Sequence, residues 1–471
     1  MTVILPASGY MSDSTRIKGE MKSSFEELRD AIEVVDTNAD ANTSNMTALT
    51  GAVNGVVSGL STHANDSVIH VTSAEKAKLI YVPTYVATQQ EFDALFDGTT
   101  LENLNIYLVY TGTSYELKNN IPIGSNLKID SDPGVIVVRK GQYRFHSTGT
   151  FGSNVKYVHF TDKWSFDGAR ATYTYSGSGG FANISYTEEC KFETYVFDCL
   201  VAGDGGAYYA TTATTINNVI RNIKNCEAVN GGACYNCDYS IISNISNCQT
   251  TVGAANVGIV YSCNNSIISN ISYSSPRSSV SNCDNCTITN IHHSQRYGCY
   301  ECDNCTITDI YNNGEEGVLL CENCDISNVH NNGKIGVSSC NYCTITNIHH
   351  NITMGVYNCN YCTITNIHHN TTNGVSTSNK CTITNIHNNS KSGVISCDES
   401  MISDVQNNIE SGTLAGGAVT CDNSVFFGPF RGNTSTGSYN HISNSVNCIA
   451  FVIGDGTSSL LISSSRATIN F

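Results

Sequence analysis

Apolar and polar positions fall into three successive patterns along this chain. In the first, Phe25, Leu28, Ile32, Val35, Ala39, Asn42, Met46, Leu49, Val53, Val56, Leu60 and His63 follow one another at alternating intervals of three and four. This is the seam of a left-handed coiled coil. With Phe25 as the a position, the d layer contains Val35 and Val56 instead of uniform leucine, so three strands are favoured over two. Asn42 at d would set three amides in one layer, fixing register at some cost in stability. The competing reading is a helix interrupted in the Asn- and Thr-rich stretch 36–47.

In the second pattern, residues 81–214, short aromatic and β-branched runs such as 105–110, 127–129 and 134–138 alternate with Gly, Asn and Pro, which predicts short strands. The third pattern is a repeat. Cys286, Cys305, Cys324, Cys343, Cys362, Cys381 and then Ser400 recur every 19 residues. The same step is kept by Ile288 to Ile402, by Asn290 to Asp404, by Ser294 and Asn313 to Asn408, and by Gly298 to Gly412. Weaker copies begin at Ser240 and Ser266, extending the array over 215–430.

A fixed period near 20 residues means a solenoid. The unit CTITNIHHN alternates Cys, Ile and Ile against Thr and His, the period of a strand with one buried face. Three short strands bent at the Asn and Gly columns make one triangular turn, so the fold class expected is all-β, a parallel β-helix of 19-residue coils preceded by a trimeric α-helical coiled coil. Each column stacks on itself at about 4.8 Å. Asn amides then bond up a ladder and Gly supplies the positive φ of a corner. The expected organisation is an attachment segment at 1–17, a stalk at 18–63, a junction at 64–80, irregular coils at 81–214, regular coils at 215–430 and a terminal cap at 431–471.

Composition narrows the function. With 40% apolar and only 14% charged residues, the chain is too apolar and too patterned to be disordered. Lys and Arg total 24 against 40 Asp and Glu, so a sequence-independent grip on nucleic acid or anionic lipid is excluded. No apolar run approaches the roughly 18 residues of a membrane helix, and the opening MTVILPASGY has no signal-peptide pattern. Membrane insertion is therefore not expected.

The 22 cysteines include CxxC pairs such as Cys302 with Cys305 and Cys321 with Cys324, a zinc-ribbon spacing. Here the period itself forces that spacing, and Ser378, Ser400 and Ser424 stand in the same columns. A reduced, buried thiol column is expected over zinc or inter-turn disulfides. No metal and no cofactor are assigned. The outward column of His292, Tyr311, His330, His349, His368 and His387 could meet sugar, metal or a neighbouring subunit, and its imidazoles should repel one another when protonated, near pH 5. An exposed polar strand is the simpler account. His63 and His70 are read as surface or packed residues rather than ligands.

Residues 61–79, STHANDSVIHVTSAEKAKL, resemble a segment of bacteriophage tail-fibre and receptor-binding proteins, where a fibrous part passes into the distal domain. The polar d layer at Asn42 resembles layers of trimeric surface adhesins and viral fibres. The sequence TSYELKNNIPIGSNLKIDSDPGVIVV resembles the opening coil of pectate-lyase-like right-handed β-helices. Together these imply a phage tail fibre or tailspike-like homotrimer, located in the virion tail after assembly in the host cytoplasm. It would be anchored to the tail or baseplate by its N-terminus and would bind a host-surface glycan or other receptor. Trimerisation would rest on Phe25, Leu28, Ile32, Val35, Asn42, Leu49, Val53, Val56 and Leu60. Receptor contacts are expected at the non-repeated aromatics Trp164, Tyr173, Tyr175, Tyr186, Tyr195, Tyr208 and Tyr209. The alternative is a depolymerase needing paired carboxylates, for which Glu188, Glu189, Glu193, Asp198 and Asp204 are the candidates. More remotely, the TxT strands resemble the lattice of ice-binding solenoids.

Overall fold

The computed structural model describes residues 83–469 except 151, 212–214, 252–257, 275–276, 411–416, 432, 436–441, 444, 454–461 and 464–466. The expected attachment segment, stalk and junction, with every trimerisation residue named above, lie outside the described residues.

From Tyr85 onward the chain winds as a parallel β-solenoid. Each regular turn contributes one six-residue strand, such as Thr306–Tyr311, to a 22-stranded sheet and one two-residue strand, such as Val318–Leu319, to a 16-stranded sheet. Successive strands stack in parallel register, Ile288 on Ile307 on Ile326. Pairing partners are far apart in sequence at the start, Val137 with Phe166 and Phe166 with Val196, and settle to the 19-residue step from Ile288 onward. The wide first coils are filled by Phe145, Phe160, Trp164, Phe181, Phe192 and Tyr208, all buried; the narrow later coils hold Ile, Val and Cys.

The bends come from residues in the left-handed region. In one turn these are Asp309, Asn312, Leu320 and Asn323, with φ of 57°, 55°, 57° and 53°. Asn and Asp enter this region at little cost, which accounts for the Asn290-to-Asp404 column. The register skips that residue, since Thr308 pairs with Ser327 and Ile310 with Val329, so each six-residue strand is two straight pieces joined at a bend.

The Gly column does not make the corner, contrary to the sequence expectation. Gly336 has no positive φ; a Cβ there would lie 2.3 Å from Ile348 Cγ2 and 2.7 Å from Asn351 Nδ2. Glycine is required by close packing against the Ile and Asn columns. The 19-residue step ends at Gly393, because Val394 pairs with Ala418, which puts Gly417 in succession to Gly393; Gly412 of the expected column lies outside the described residues.

Two polar ladders run inside the core. Asn332 donates from Nδ2 and from its backbone N–H to Asn351 Oδ1 at 3.0 and 3.1 Å, and the pattern continues through Asn370, Asn389, Asn408 and Asn433. The thiols do the same work for the backbone. Cys321 N–H donates to Cys340 Sγ, Cys340 N–H to Cys359 Sγ and Cys359 N–H to Ser378 Oγ, at 3.4, 3.3 and 3.1 Å. All 22 cysteines are buried and free of disulfides.

A helix absent from the sequence reading, Gln89–Leu95, precedes the first coils, where strands alone were expected. Thr88 accepts from the Glu91 N–H while the Glu91 side chain accepts from the Thr88 N–H, a capping box. Phe92 and Phe96, one turn apart, stack at 4.2 Å, and Phe92 continues onto Tyr115 at 5.1 Å. The helix thereby lays two rings on the aromatic core. Among the described residues no helix is long and apolar enough to cross a membrane.

Candidate functional site

The non-repeated coils build one outward aromatic column. Strands Tyr208–Tyr209, Cys234–Tyr235 and Gly258–Tyr261 stack in register. Their alternation turns Tyr208 and Cys234 into the core and Tyr209, Tyr235 and Tyr261 outward. The three rings stack at 5.6 and 5.5 Å with interplanar angles of 13° and 21°. Asn183 precedes the column and Ser281 follows it, so it ends on small polar residues in both directions. All three rings are half-buried.

Longer connections lie beside this column than in the regular turns. Residues 225–233 link strand Asn218–Lys224 to Cys234–Tyr235, where residues 312–317 suffice between Thr306–Tyr311 and Val318–Leu319. The corner is tight at Gly205, whose φ is +66° and where a Cβ would lie 2.1 Å from the Tyr208 carbonyl oxygen. This brings Asp204 close to Tyr235, whose hydroxyl is pushed up first by burial and then by the Asp204 charge. Asn230 Nδ2 donates to Asp204 at 2.8 Å, and Asn282 Nδ2 donates to the Tyr261 hydroxyl at 3.2 Å. The face thus carries phenol hydroxyls, amides and a carboxylate in one row. That is donor and acceptor chemistry suited to a polyhydroxyl ligand.

At the broad end of the same face Tyr175 lies under two guanidinium groups, Arg144 at 4.9 Å and Arg139 at 5.8 Å from its ring centre. Arg144 donates to the Gly179 carbonyl and Arg139 to that of Gly180, at 3.3 and 3.1 Å. Burial lowers the Arg144 guanidinium from its ordinary value.

The expected receptor aromatics divide sharply. Trp164 and Tyr208 are buried, 1% and 0% exposed, and Trp164 donates to the Ile129 carbonyl at 3.2 Å. Both are core residues, so the expectation that they contact a receptor is corrected. Tyr175 is 9% exposed and shielded by the two arginines, which corrects it likewise to a packing residue. Tyr173 and Tyr186 are half-buried, Tyr195 is 52% exposed, and of the seven only Tyr209 enters the stacked column. Tyr235 and Tyr261 were missed, although Tyr209, Tyr235 and Tyr261 keep a step of 26 that Ser240 and Ser266 share.

The candidate carboxylates have separate partners. Glu188 pairs with Lys156 at 3.0 Å and accepts from Asn154; Lys156 holds it below the ordinary value. Glu193 is engaged by Arg221 and by His159 at 2.9 Å. Asp198 accepts from Asn225 at 3.1 Å, and Glu189 is exposed. A glycosidic proton donor needs a raised pKa, and Glu188 is moved the opposite way.

In the regular turns His330, His349, His368 and His387 stack at 4.9 to 5.0 Å with interplanar angles of 2° to 7°. Burial first, and neighbouring imidazoles second, lower His349 and His368 to about 4, so the ladder is uncharged at neutral pH. The TxT lattice faces outward on the same sheet, with Thr306, Thr344, Thr363 and Thr382 exposed and Asp325 interrupting them.

No family description matches the chain, and no characterised protein sequence matches it. Among solved structures it is similar to the A-module of mannuronan C-5 epimerase AlgE6 from Azotobacter vinelandii, with 12% identity, a TM-score of 0.29, and coverage of 84% of this chain and 95% of that one. It is also similar to a mutant tailspike protein of E. coli bacteriophage HK620 in complex with a hexasaccharide, with 10% identity, a TM-score of 0.35, and coverage of 82% and 77%. The likeness is one of coiling. The functional reading rests on this chain's own side chains.

Proposed function

We propose that this protein is a tailspike-like receptor-binding fibre protein that holds a host-surface glycan on the Tyr209, Tyr235 and Tyr261 face without cleaving it. The observation that carries this reading is the stacked tyrosine column flanked by Asp204, Asn230 and Asn282 on the coils outside the 19-residue step. A unique ligand needs a unique arrangement of donors on a rigid frame, and a solenoid sheet is such a frame. The heptads of residues 18–63 and the fibre-like junction support a homotrimer attached to a phage tail through its N-terminus. Trimeric presentation multiplies a weak sugar contact through effective concentration.

Tyr235→Ala opens the middle of the column. Binding of the full-length protein to host-surface polysaccharide is expected to weaken at least tenfold, while Tyr195→Ala, outside the column, leaves it unchanged. Equal binding by wild type and Tyr235→Ala would move the site elsewhere. Release of reducing ends, abolished by Glu188→Gln or Asp204→Asn, would replace binding with depolymerisation. Sedimentation at three times the chain mass is the expected oligomeric result, and a monomer would remove the trimer.

A further inference from the structure

Consecutive residues of a strand face opposite sides, yet this solenoid sets neighbouring histidines side by side. The second residue of each His-His dipeptide occupies a bend, with φ of 56° at His293, 56° at His350 and 54° at His369, and the bend swings its ring next to that of the preceding histidine. In each dipeptide the two Nδ1 atoms then lie within hydrogen-bond distance: 2.7 Å for His292 and His293, and 2.8 Å both for His349 and His350 and for His368 and His369. The rings of each dipeptide stand at 78° to 86° to one another. Elsewhere the bend position carries Asn, as at Asn312, Asn331 and Asn388, so the histidines are not needed for the turn.

We propose that these histidine pairs are chelating sites for a divalent transition metal that favours right-angled coordination, copper(II) or nickel(II), bound through the two Nδ1 atoms. Imidazole suits these ions. With metal–nitrogen bonds of about 2.0–2.1 Å, two cis ligands at a right angle stand about 2.9 Å apart, whereas a tetrahedral zinc site spreads them to about 3.3 Å. The observed 2.7 and 2.8 Å match the right-angled bite. In the metal-free pair one Nδ1–H donates to the other Nδ1. On binding, that ring gives up its Nδ1 proton and takes one at Nε2, so both rings ligate as neutral imidazoles and no net proton is released. Among the described residues no three His, Cys, Asp or Glu side chains converge on a metal position, which leaves the other coordination positions to water or an incoming ligand.

Two of the pairs stack. His349 lies 5.0 Å from His368 and His350 lies 5.0 Å from His369, so two dications on these turns repel across about one strand spacing. The pair His292 and His293 stands apart from them. The expected stoichiometry is therefore two strong equivalents per chain, one at His292 and His293 and one in the stacked block, followed by a weaker third.

The test is titration of full-length, chelator-treated protein with copper(II) chloride, read by calorimetry and by electron paramagnetic resonance. Wild type is expected to saturate two strong equivalents with a tetragonal spectrum showing two coupled nitrogens. The triple variant His293→Asn, His350→Asn and His369→Asn installs the residue that other turns carry at this bend and leaves the stacked ladder in place. It is expected to lose both strong equivalents while its metal-free melting temperature stays within a few degrees of wild type. A wild-type spectrum with one nitrogen, uptake that never saturates, or unchanged strong binding in the triple variant would each overturn the assignment. The nitrogen count decides the matter even if the triple variant fails to fold.

Discussion

Cys340 shows what a single core position is asked to do. Its thiol accepts from the Cys321 N–H and donates towards the Ser338 carbonyl at 3.3 Å. The column therefore needs a small side chain that both accepts and donates, not merely a small apolar one; Ser378 does both, and Ser445 accepts from the Cys421 N–H in the same way. A buried donor left unpaired costs about 1–3 kcal/mol. Cys340→Ala is expected to destabilise the protein by that much beyond Cys340→Ser, read as a shift of the urea midpoint; equal shifts would reduce the ladder to simple packing. Burial pushes thiols such as Cys199 and Cys226 well above their ordinary range, and at Cys199 it outweighs the opposing charge of Arg139, so few should react before unfolding. The histidine ladder gives a pH signature. His349 and His368 are lowered to about 4 in the fold from about 6.5 unfolded, so folding favours their neutral form. Their contribution is full above pH 6.5 and is lost as pH falls from there through 4. Asp309 beside His330 and Asp404 beside His387 soften this at the ladder's ends. In chelator-containing buffer the urea midpoint should fall across that window, and less steeply in His349→Gln with His368→Gln. An identical slope in the variant would contradict the ladder's role.

At the level of a turn, two rules act at different positions. Packing demands Gly336, whose added Cβ would strike Ile348 and Asn351, and overpacking a filled core costs about 1–3 kcal/mol. Backbone geometry demands residues that tolerate positive φ, yet Leu320 sits there at 57°, 41% exposed, at a cost of about 1–2 kcal/mol. Gly336→Ala is thus expected to destabilise and Leu320→Asn to stabilise by about 1 kcal/mol, both read from denaturant unfolding; the reverse order would mean that glycine serves conformation after all. The strict 19-residue step exposed the strands, the Ile and Asn columns and the burial of the cysteines, because one residue per turn has one environment. It could not separate a glycine needed for space from one needed for φ, since both recur at the same interval. The helix Gln89–Leu95 was hidden by its length of 7 residues, although its capping box was legible. Trp164, Tyr173, Tyr175, Tyr186 and Tyr195 carried no period, so aromatic chemistry alone did not say which faced inward; the 26-residue step of Tyr209, Tyr235 and Tyr261 was the available signal.

Across the whole molecule the irregular and regular coils divide the labour. Identical columns offer the same contact at every turn and discriminate poorly between ligands, whereas the short Tyr209, Tyr235 and Tyr261 stack carries flanking groups, Asp204, Asn230 and Asn282, that differ from turn to turn. Solenoid coils touch mainly their neighbours, so whole repeats can be removed when register is kept. Excision of residues 325–362 joins Cys324 to Thr363 and closes the Cys, Ile and Asn columns in phase. The direct test of the account is the affinity of this shortened full-length protein for host-surface polysaccharide, measured beside wild type at equal oligomeric state. Unchanged affinity is the expected result; loss of binding in a protein that is folded and assembled like wild type would place recognition in the repeats and contradict it.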